Sequence, residues 1–245
     1  MLQKQEKEKL VLVEEKKEKD VVVSKLKSRE KELSKELTAK RKFDTKLRAA
    51  IKVVIDREIR LARERELAEA KKREAANPKD SESDNASSTT TTAKNTEKAT
   101  KKSVFEATPE GMIVSDNFEK NKGRLPWPVE SGAIKTPFGS YGIEGTKIVG
   151  NNPGITIETS GGASIRSVFD GNVSSVFDIE GVSVIMVRHG KYLTTYSGLA
   201  SVNVSKGDKV KAGQVIGRSD QNGEIDFLLL QESRNLNPEL WLRRR

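Results

Sequence analysis

The first 77 residues follow the alternation of charged and apolar positions that an α-helix produces, and they contain no Gly and no Pro before Pro78. A seven-residue series of apolar side chains runs through Leu26, Leu33, Leu47, Val54, Leu61 and Ala68, and Lys40 interrupts it. This spacing predicts a coiled-coil helix over 1–77, roughly 115 Å long if continuous. We expect the chain to be part of a longer one, whose preceding sequence would supply an antiparallel partner helix.

Two segments connect this helix to the rest of the chain. Residues 78–102 have almost no apolar side chains to bury, which predicts a disordered linker. Residues 103–122 regain apolar side chains such as Phe105 and Phe118, and the letters "TPE" indicate a helix start. We predict that 103–122 is a short docking or restraining arm.

From residue 123 onward the pattern changes to short apolar runs separated by Gly, Asp and Asn about every ten residues. This is typical of an antiparallel β domain with its own core, predicted for 123–245. The fold class is therefore α plus all-β: a long N-terminal helix, a disordered linker and a C-terminal β domain.

One strand of this domain, "GEIDFLLLQE", begins with two acids. Side chains two positions apart share a face of a strand, so Glu224, Asp226 and Leu228 should line one face while Ile225 and Phe227 line the other. The two acids could belong to a metal site, to an acid–base pair or to a site whose chemistry has been lost.

Charge and composition remove several classes of function. Residues 1–77 hold 24 basic against 16 acidic side chains and 123–245 is close to neutral, so the +9 net charge belongs to the helix and linker. Interleaved charge of both signs is typical of a solvated helix, and nothing indicates nucleic-acid binding. The chain has no Cys, no apolar run long enough to span a membrane and no signal-peptide pattern at its start.

The β domain resembles the LytM, or lysostaphin-type, metallopeptidase family. The letters that carry the likeness are "NPGIT", "VIMVRHGKYLTTYSGL", "GDKVKAGQVIG" and "EIDFLLLQE" followed by "NPELWL". Together with the helix and linker, the arrangement is similar to murein hydrolase activators of the EnvC type. The resemblance implies a β fold of LytM type for 123–245.

The family's zinc ligands and catalytic histidines fall on other residue types here. By resemblance, the first zinc-binding His corresponds to Asn152 and the Asp to Thr156. The His of the family's Tyr-x-His-Leu turn corresponds to Gly198, and the His-x-His pair to Glu224 and Asp226. A catalytic zinc needs about three ligands from His, Cys or carboxylate, and this chain has one His, His189, which we interpret as structural. We expect no metal, no cofactor and no catalytic residue.

The resemblance implies a non-catalytic activator of cell-wall N-acetylmuramoyl-L-alanine amidases that acts in daughter-cell separation. It implies that an amidase helix binds in the emptied metal cleft, that an FtsEX-type ABC complex of the inner membrane holds the coiled coil, and that the protein is periplasmic at the division site. Peptidoglycan is a further expected partner. The predicted cleft residues are Asn152, Thr156, Tyr196, Gly198, Glu224, Asp226 and Leu228.

Three alternatives and extensions stay open. The arm at 103–122 or the helix before it could cover the cleft, because the family's activators are similarly self-inhibited. An active zinc endopeptidase that cleaves peptidoglycan cross-links is the main competing function. A biotinyl- or lipoyl-type carrier would need a modified Lys in a tight turn, for which only Lys191 is available.

Overall fold

A computed structural model describes residues 2–75, 109–143 and 149–245. The predicted N-terminal helix is confirmed as α1 (Leu2–Ala75), an uninterrupted helix of 74 residues. Its continuity follows from the absence of Gly and Pro, the two residues that most disfavour a helix interior. The linker predicted at 78–102 lies outside the described residues.

The arm and the β domain follow. Helix α2 (Pro109–Lys120) begins at the Pro of the "TPE" signal, where a missing N–H costs nothing. The strands are β1 (Ala133–Thr136), β2 (Gly139–Gly142), β3 (Val149–Asn152), β4 (Ile155–Glu158), β5 (Ser164–Arg166), β6 (Gly171–Ile179), β7 (Val182–His189), β8 (Tyr192–Val202), β9 (Lys209–Val210), β10 (Val215–Ser219), β11 (Glu224–Gln231) and β12 (Arg234–Leu236). A 3₁₀ turn, Pro238–Leu240, follows β12.

All strand pairs are antiparallel, as the sequence predicts for this domain. The main sheet has the order β1-β4-β11-β8-β7-β6-β9, with β12 beside β11 and with β10 bridging β5 and β8. Strands β2 and β3 form a separate two-stranded sheet. Strand β11 therefore lies near the middle of the main sheet, between β4 and β8.

The main sheet has an apolar layer on each face. Side chains such as Ile225 and Phe227 belong to the main core, which also contains Trp241 of the C-terminal segment. Leu228 and Leu230 of the same strand belong to a second cluster on the opposite face. The alternation predicted for β11 is confirmed.

Helix α1 covers the second face. Leu47, Ile51 and Ile55 are 1%, 4% and 4% exposed and pack against Val184, Met186, Leu193, Leu228 and Leu230. Full burial of a Leu or Ile side chain stabilises by roughly 1.5–3 kcal/mol. The three α1 side chains therefore hold the helix on the sheet.

The N-terminal third of α1 has a different environment. Leu10, Val13, Val21 and Leu26 are 69%, 46%, 53% and 60% exposed. Their apolar surface is not covered by any described part of the chain, and the coiled coil stays a prediction. Within 2–75 and 109–120, neither helix has the length and apolar character needed to cross a membrane.

Helix α2 packs at the turn between β7 and β8. The Ser115 hydroxyl donates to the Gly111 carbonyl (2.8 Å) and accepts from the Lys191 N–H (2.9 Å). Phe118 is fully buried and stacks on the rings of His189 and Tyr192 at 5.1 and 4.8 Å between centroids. The arm therefore docks on the β domain through an aromatic cluster.

His189 is fully buried beneath this arm. One ring nitrogen lies 2.7 Å from the Asp170 carbonyl oxygen and the other 2.9 Å from the Thr194 hydroxyl. Burial lowers the pKa of His189 from 6.5 to about 4, against the opposing effects of the Asp170 backbone hydrogen bond and of the Asp170 charge. The ring is neutral at pH 7 and links the turn at Asp170 to strand β8 through Thr194.

The buried neutral histidine predicts a pH-dependent stability. The unfolded chain takes up a proton below pH 6.5 and the folded chain only near pH 4, so stability is full above pH 6.5 and falls as the pH decreases towards 4, by about 3 kcal/mol in total. His189→Gln should be less stable at pH 7.5 and should show a flatter loss between pH 6.5 and 5 in urea unfolding. Equal slopes for the two proteins would refute this assignment.

Candidate functional site

The acids at the start of β11 lie beside β4, which carries Thr156, and Asn152 ends the preceding strand β3. The Thr156 hydroxyl donates to Asp226 Oδ1 at 2.6 Å. The Asn152 amide nitrogen lies 3.3 Å from the Thr156 hydroxyl and donates to the Thr136 carbonyl at 3.2 Å. Asn152, Thr156 and Asp226 therefore form one hydrogen-bonded group, as their shared site in the prediction requires.

A lysine of α1 completes this group. Lys40 Nζ lies 3.3 Å from Asp226 Oδ1 and 3.1 Å from the Thr156 hydroxyl oxygen. The pair is partly shielded from water, with side chains 31% and 22% exposed. Lys40 is the residue that interrupts the heptad series, so the polar interruption in the helix faces the polar group on the sheet.

The charges around Lys40 are coupled. Burial alone would lower the pKa of Lys40, but the Asp226 charge and hydrogen bond, together with the charges of Asp44 and Tyr141, outweigh burial and raise that pKa. Burial raises the pKa of Asp44, and repulsion from Asp226 adds to the rise while Lys40 and Arg48 oppose it. The lysine is therefore charged at neutral pH and neutralises a small acidic region between helix and sheet.

Glu224 lies at the exposed edge of the group. It forms an ion pair with Lys135 of β1, and both side chains are more than 40% exposed. A surface ion pair of this kind contributes about 0–1 kcal/mol. Glu224 is therefore available to a second molecule at little energetic cost.

Leu228 is 2% exposed and packs under α1 in the second cluster. It shares the face of Asp226, as predicted. Its surface becomes a floor for a bound molecule only when α1 moves away.

Tyr196 does not line this face, contrary to the prediction. It is fully buried in the main core, where its hydroxyl accepts from the Val168 N–H (3.0 Å) and lies 3.2 Å from the Thr194 hydroxyl. Burial raises its pKa. Its neighbour Ser197 is the residue directly opposite Asp226. The parity of the strand therefore directs Ser197, and not Tyr196, to the α1 face.

Sequence reasoning missed two residues on the covered face. Thr195 lies opposite Leu228 and Ser197 lies opposite Asp226, and they are 0% and 1% exposed. Neither hydroxyl has a hydrogen-bond partner within the described ranges. The pairing of β8 with β11 would have identified them, since residues directly opposite the cleft positions of β11 lie on the same face of the sheet.

The backbone geometry at position 198 requires a glycine. Its φ is +86°, and a Cβ built there would lie 2.3 Å from the Glu224 carbonyl oxygen. The pairing of β7 with β8 also shifts register here, which marks a bulge. A side chain at this position, including a histidine, would require the backbone to move.

Gly198→Ala should therefore destabilise the domain by about 2 kcal/mol or more, through strain at positive φ and overlap with β11. Gly142→Ala is the matched control, because a Cβ at that position meets nothing within 4 Å. Chemical denaturation of both variants tests the difference. Equal stability of the two would contradict the described geometry.

The donor set at the family's metal positions fits zinc poorly. Catalytic zinc takes about three ligands from His, Cys or carboxylate, whereas Asn152 offers an amide, Thr156 a hydroxyl and Asp226 a single carboxylate, with the Lys40 ammonium against the oxygens. In the part of the chain that the structure describes, no three His, Cys, Asp or Glu side chains converge on a possible metal position. The absence of catalysis stays a prediction.

Comparison with known proteins supports the family of the β domain. Residues 150–238 match the family model described as Peptidase family M23. This match supports an M23, or LytM-type, domain over residues 150–238, as the sequence resemblance predicted. The likeness to EnvC-type activators is a finer statement and stays a prediction.

Two curated relatives match about half of the chain. The uncharacterized protein NMB1333 of Neisseria meningitidis serogroup B is 33% identical over 142 residues, 54% of this chain and 22% of that protein. Cell division protein DipM of Caulobacter vibrioides is 27% identical over 123 residues, 49% of this chain and 19% of that protein. The matches span about a fifth of either relative's length.

Among solved structures, Helicobacter pylori Csd3 in an orthorhombic crystal is similar to this chain. The two share 26% identity with a TM-score of 0.44, over 49% of this chain and 35% of that one.

Proposed function

We propose that this protein is a non-catalytic activator of cell-wall N-acetylmuramoyl-L-alanine amidases in daughter-cell separation. The amidase binds the sheet face that carries Asp226, Thr156 and Leu228, and α1 keeps that face closed until it is pulled away. Glu224, at the exposed edge, offers a first contact. The domain acts by binding, and its former metal positions serve as a docking site.

The observation that carries this proposal is the position of α1. Its Lys40 pairs with Asp226, and its Leu47, Ile51 and Ile55 fill the apolar surface beside Leu228. A face that already accepts an amphipathic helix can accept another one of similar shape, which is helix-in-groove recognition. The sequence leaves open whether the arm at 103–122 or the long helix covers the cleft, and the contacts of Lys40 with Asp226 and Thr156 favour the long helix.

The family match and the relatives support a role in the cell envelope. An M23 domain favours a role connected with peptidoglycan, and one relative is a cell division protein. The same relative favours a location in the cell envelope, which we propose is the periplasm. The exposed apolar residues of the N-terminal third of α1, such as Leu10 and Val21, offer a surface to an FtsEX-type complex or to a second helix.

The proposal is tested by dye release from labelled peptidoglycan by a candidate amidase, with and without the full chain, together with a zinc assay of the purified protein. We expect stimulation that depends on the amidase, from protein without stoichiometric zinc. The chain alone should release no dye.

Zinc bound at one equivalent, together with peptidoglycan cleavage by the chain alone that a chelator abolishes, would replace this proposal with the endopeptidase function. Failure to stimulate any cell-wall amidase, even after α1 is released as described below, would remove the activator proposal.

A further inference from the structure

The surface between α1 and the sheet is polar at both ends. At one end Lys40 contacts Asp226 and Thr156, and at the other Glu58 Oε2 lies 3.7 Å from Arg188 Nη1. The two α1 residues are 18 positions apart, which is five turns at 3.6 residues per turn and about 27 Å of rise. They therefore point to the same side of the helix, with the apolar contacts between them.

The Arg188 end contains a cavity of about 300 Å³. Three basic side chains, Arg188, Lys206 and Lys209, line it, and Glu58 is the one acid among its lining residues. Within the described ranges, Lys206 and Lys209 take part in no ion pair. Lys206 and Lys209 thus add positive charge to the cavity beyond the Arg188–Glu58 ion pair.

Ser174 adds a second, independent indication of a ligand. It lines the same cavity, is 5% exposed, and its hydroxyl has no hydrogen-bond partner in the part of the chain described. It is the extra residue of the β6 bulge, where the pairing with β7 shifts between Val173 and Ser175. A buried hydroxyl without a partner costs about 1–3 kcal/mol. In the described part of the chain, α1 leaves this hydroxyl without a partner.

Near Asp226, the contacts between α1 and the sheet also leave buried polar groups without partners in the described residues. Ser197, opposite Asp226, is buried on the covered face and lacks a hydrogen-bond partner within the described residues, and so does Thr195, which lies between Leu228 and Met186. Helix α1 therefore covers the apolar side chains of this face but leaves the hydroxyls of Ser174, Thr195 and Ser197 without hydrogen-bond partners in the described part of the chain. An occupant that reaches these groups would bind more favourably than α1 does.

We propose that the cavity at Arg188, Lys206, Lys209 and Ser174 binds an acidic side chain of the helix that replaces α1. Since Asp226 receives a basic side chain at the other end, the partner helix runs in the direction of α1. It carries a basic residue, then apolar residues at helical spacing, then an acidic residue about 18 positions after the basic one. This inference rests on the proposed function and specifies the partner and its orientation.

The test starts from the closed protein. A protease site is inserted after residue 90, the chain is cut after folding, and the α1 fragment carries a dye through Val22→Cys at an exposed position. Unlabelled peptides with the sequence of residues 36–62 then displace the dye-labelled fragment. The probes are the native peptide, a Glu58→Lys peptide, and a control Asp56→Lys peptide whose change lies at an exposed position of α1.

We expect the native and Asp56→Lys peptides to displace α1 at similar concentrations, and the Glu58→Lys peptide to need at least about tenfold more, because like charges meet in the cavity. Placing Arg188→Glu in the β domain should reverse this order. Equal displacement by all three peptides, or no displacement by any, would overturn the inference. Release of α1 by sodium glutarate at matched ionic strength would also overturn it, in favour of a small-anion site.

The amidase assay separates this inference from the function on which it rests. Peptides that discriminate as expected, with no amidase stimulated by the released chain, would remove the proposed function and leave the helix-binding surface. Stimulation of an amidase, with peptides that do not discriminate, would remove the charge-ordered partner alone.

Discussion

Replacing Leu47 and Ile51 with aspartate should release α1 from the sheet and raise amidase stimulation at least about tenfold. Both side chains are almost fully buried in the cluster under the helix. Each loses roughly 1.5–3 kcal/mol of apolar burial, and a carboxylate cannot be buried there without a partner. Dye release by a candidate amidase measures the gain, and hydrogen exchange in β11 reports the uncovering of the sheet.

Val53→Asp with Leu67→Asp is the matched control, because these α1 side chains are 67% and 64% exposed. The control should leave both readouts unchanged. Release of α1 without any gain in stimulation would show that the covered face is not the amidase site. Retention of α1 on the sheet would contradict the described packing.

In the released chain, Glu224→Lys combined with Asp226→Lys should lower amidase stimulation at least about tenfold. The two substitutions reverse the charge that meets a basic residue of the partner, and like-charge contact at an interface costs several kcal/mol. The fold should persist, because Glu224 is 41% and Asp226 22% exposed. The reversal must be made in the released chain, since in the closed chain it would also expel Lys40.

Glu130→Lys combined with Asp116→Lys is the control, with the same change in net charge at two exposed positions. Circular dichroism and thermal unfolding verify that both double variants are folded. Stimulation by the Glu224 and Asp226 variant that equals the stimulation by the control would exclude this part of the face from docking.

The sequence predicts helices and strands well where a local residue pattern determines the secondary structure. Helix α1 is predicted because residues 1–77 contain no Gly or Pro. The two faces of β11 are predicted because its side chains alternate between the faces of a strand. The start of α2 follows from Pro109. In each case a local rule fixes the result, whichever surface the element later meets.

The docking of α1 could not be predicted in the same way. A heptad series specifies an apolar stripe, and such a stripe packs on a helix or on a sheet face. The informative residue was Lys40, which interrupts the series and pairs with Asp226 across 186 positions of chain. Only the fold brings the two residues together.

The cleft was predicted in part. Asn152, Thr156 and Asp226 converge as expected, whereas Tyr196 lies in the main core. The error arose because a motif carried over by resemblance places positions along the chain and does not determine which face each side chain takes. The bulge at Gly198 adds a register shift that the letters do not reveal.

The most direct measurement locks α1 on the sheet. Lys46 and Glu180 form an ion pair between them, and the chain has no Cys, so Lys46→Cys and Glu180→Cys introduce its sole thiols for a reducible bismaleimide cross-link. The parent carries Leu47→Ala, which weakens but does not abolish the packing. We predict that the locked protein stimulates the amidase less than a tenth as well as the same protein after reduction. Equal stimulation before and after reduction would show that α1 and the amidase do not compete for this face.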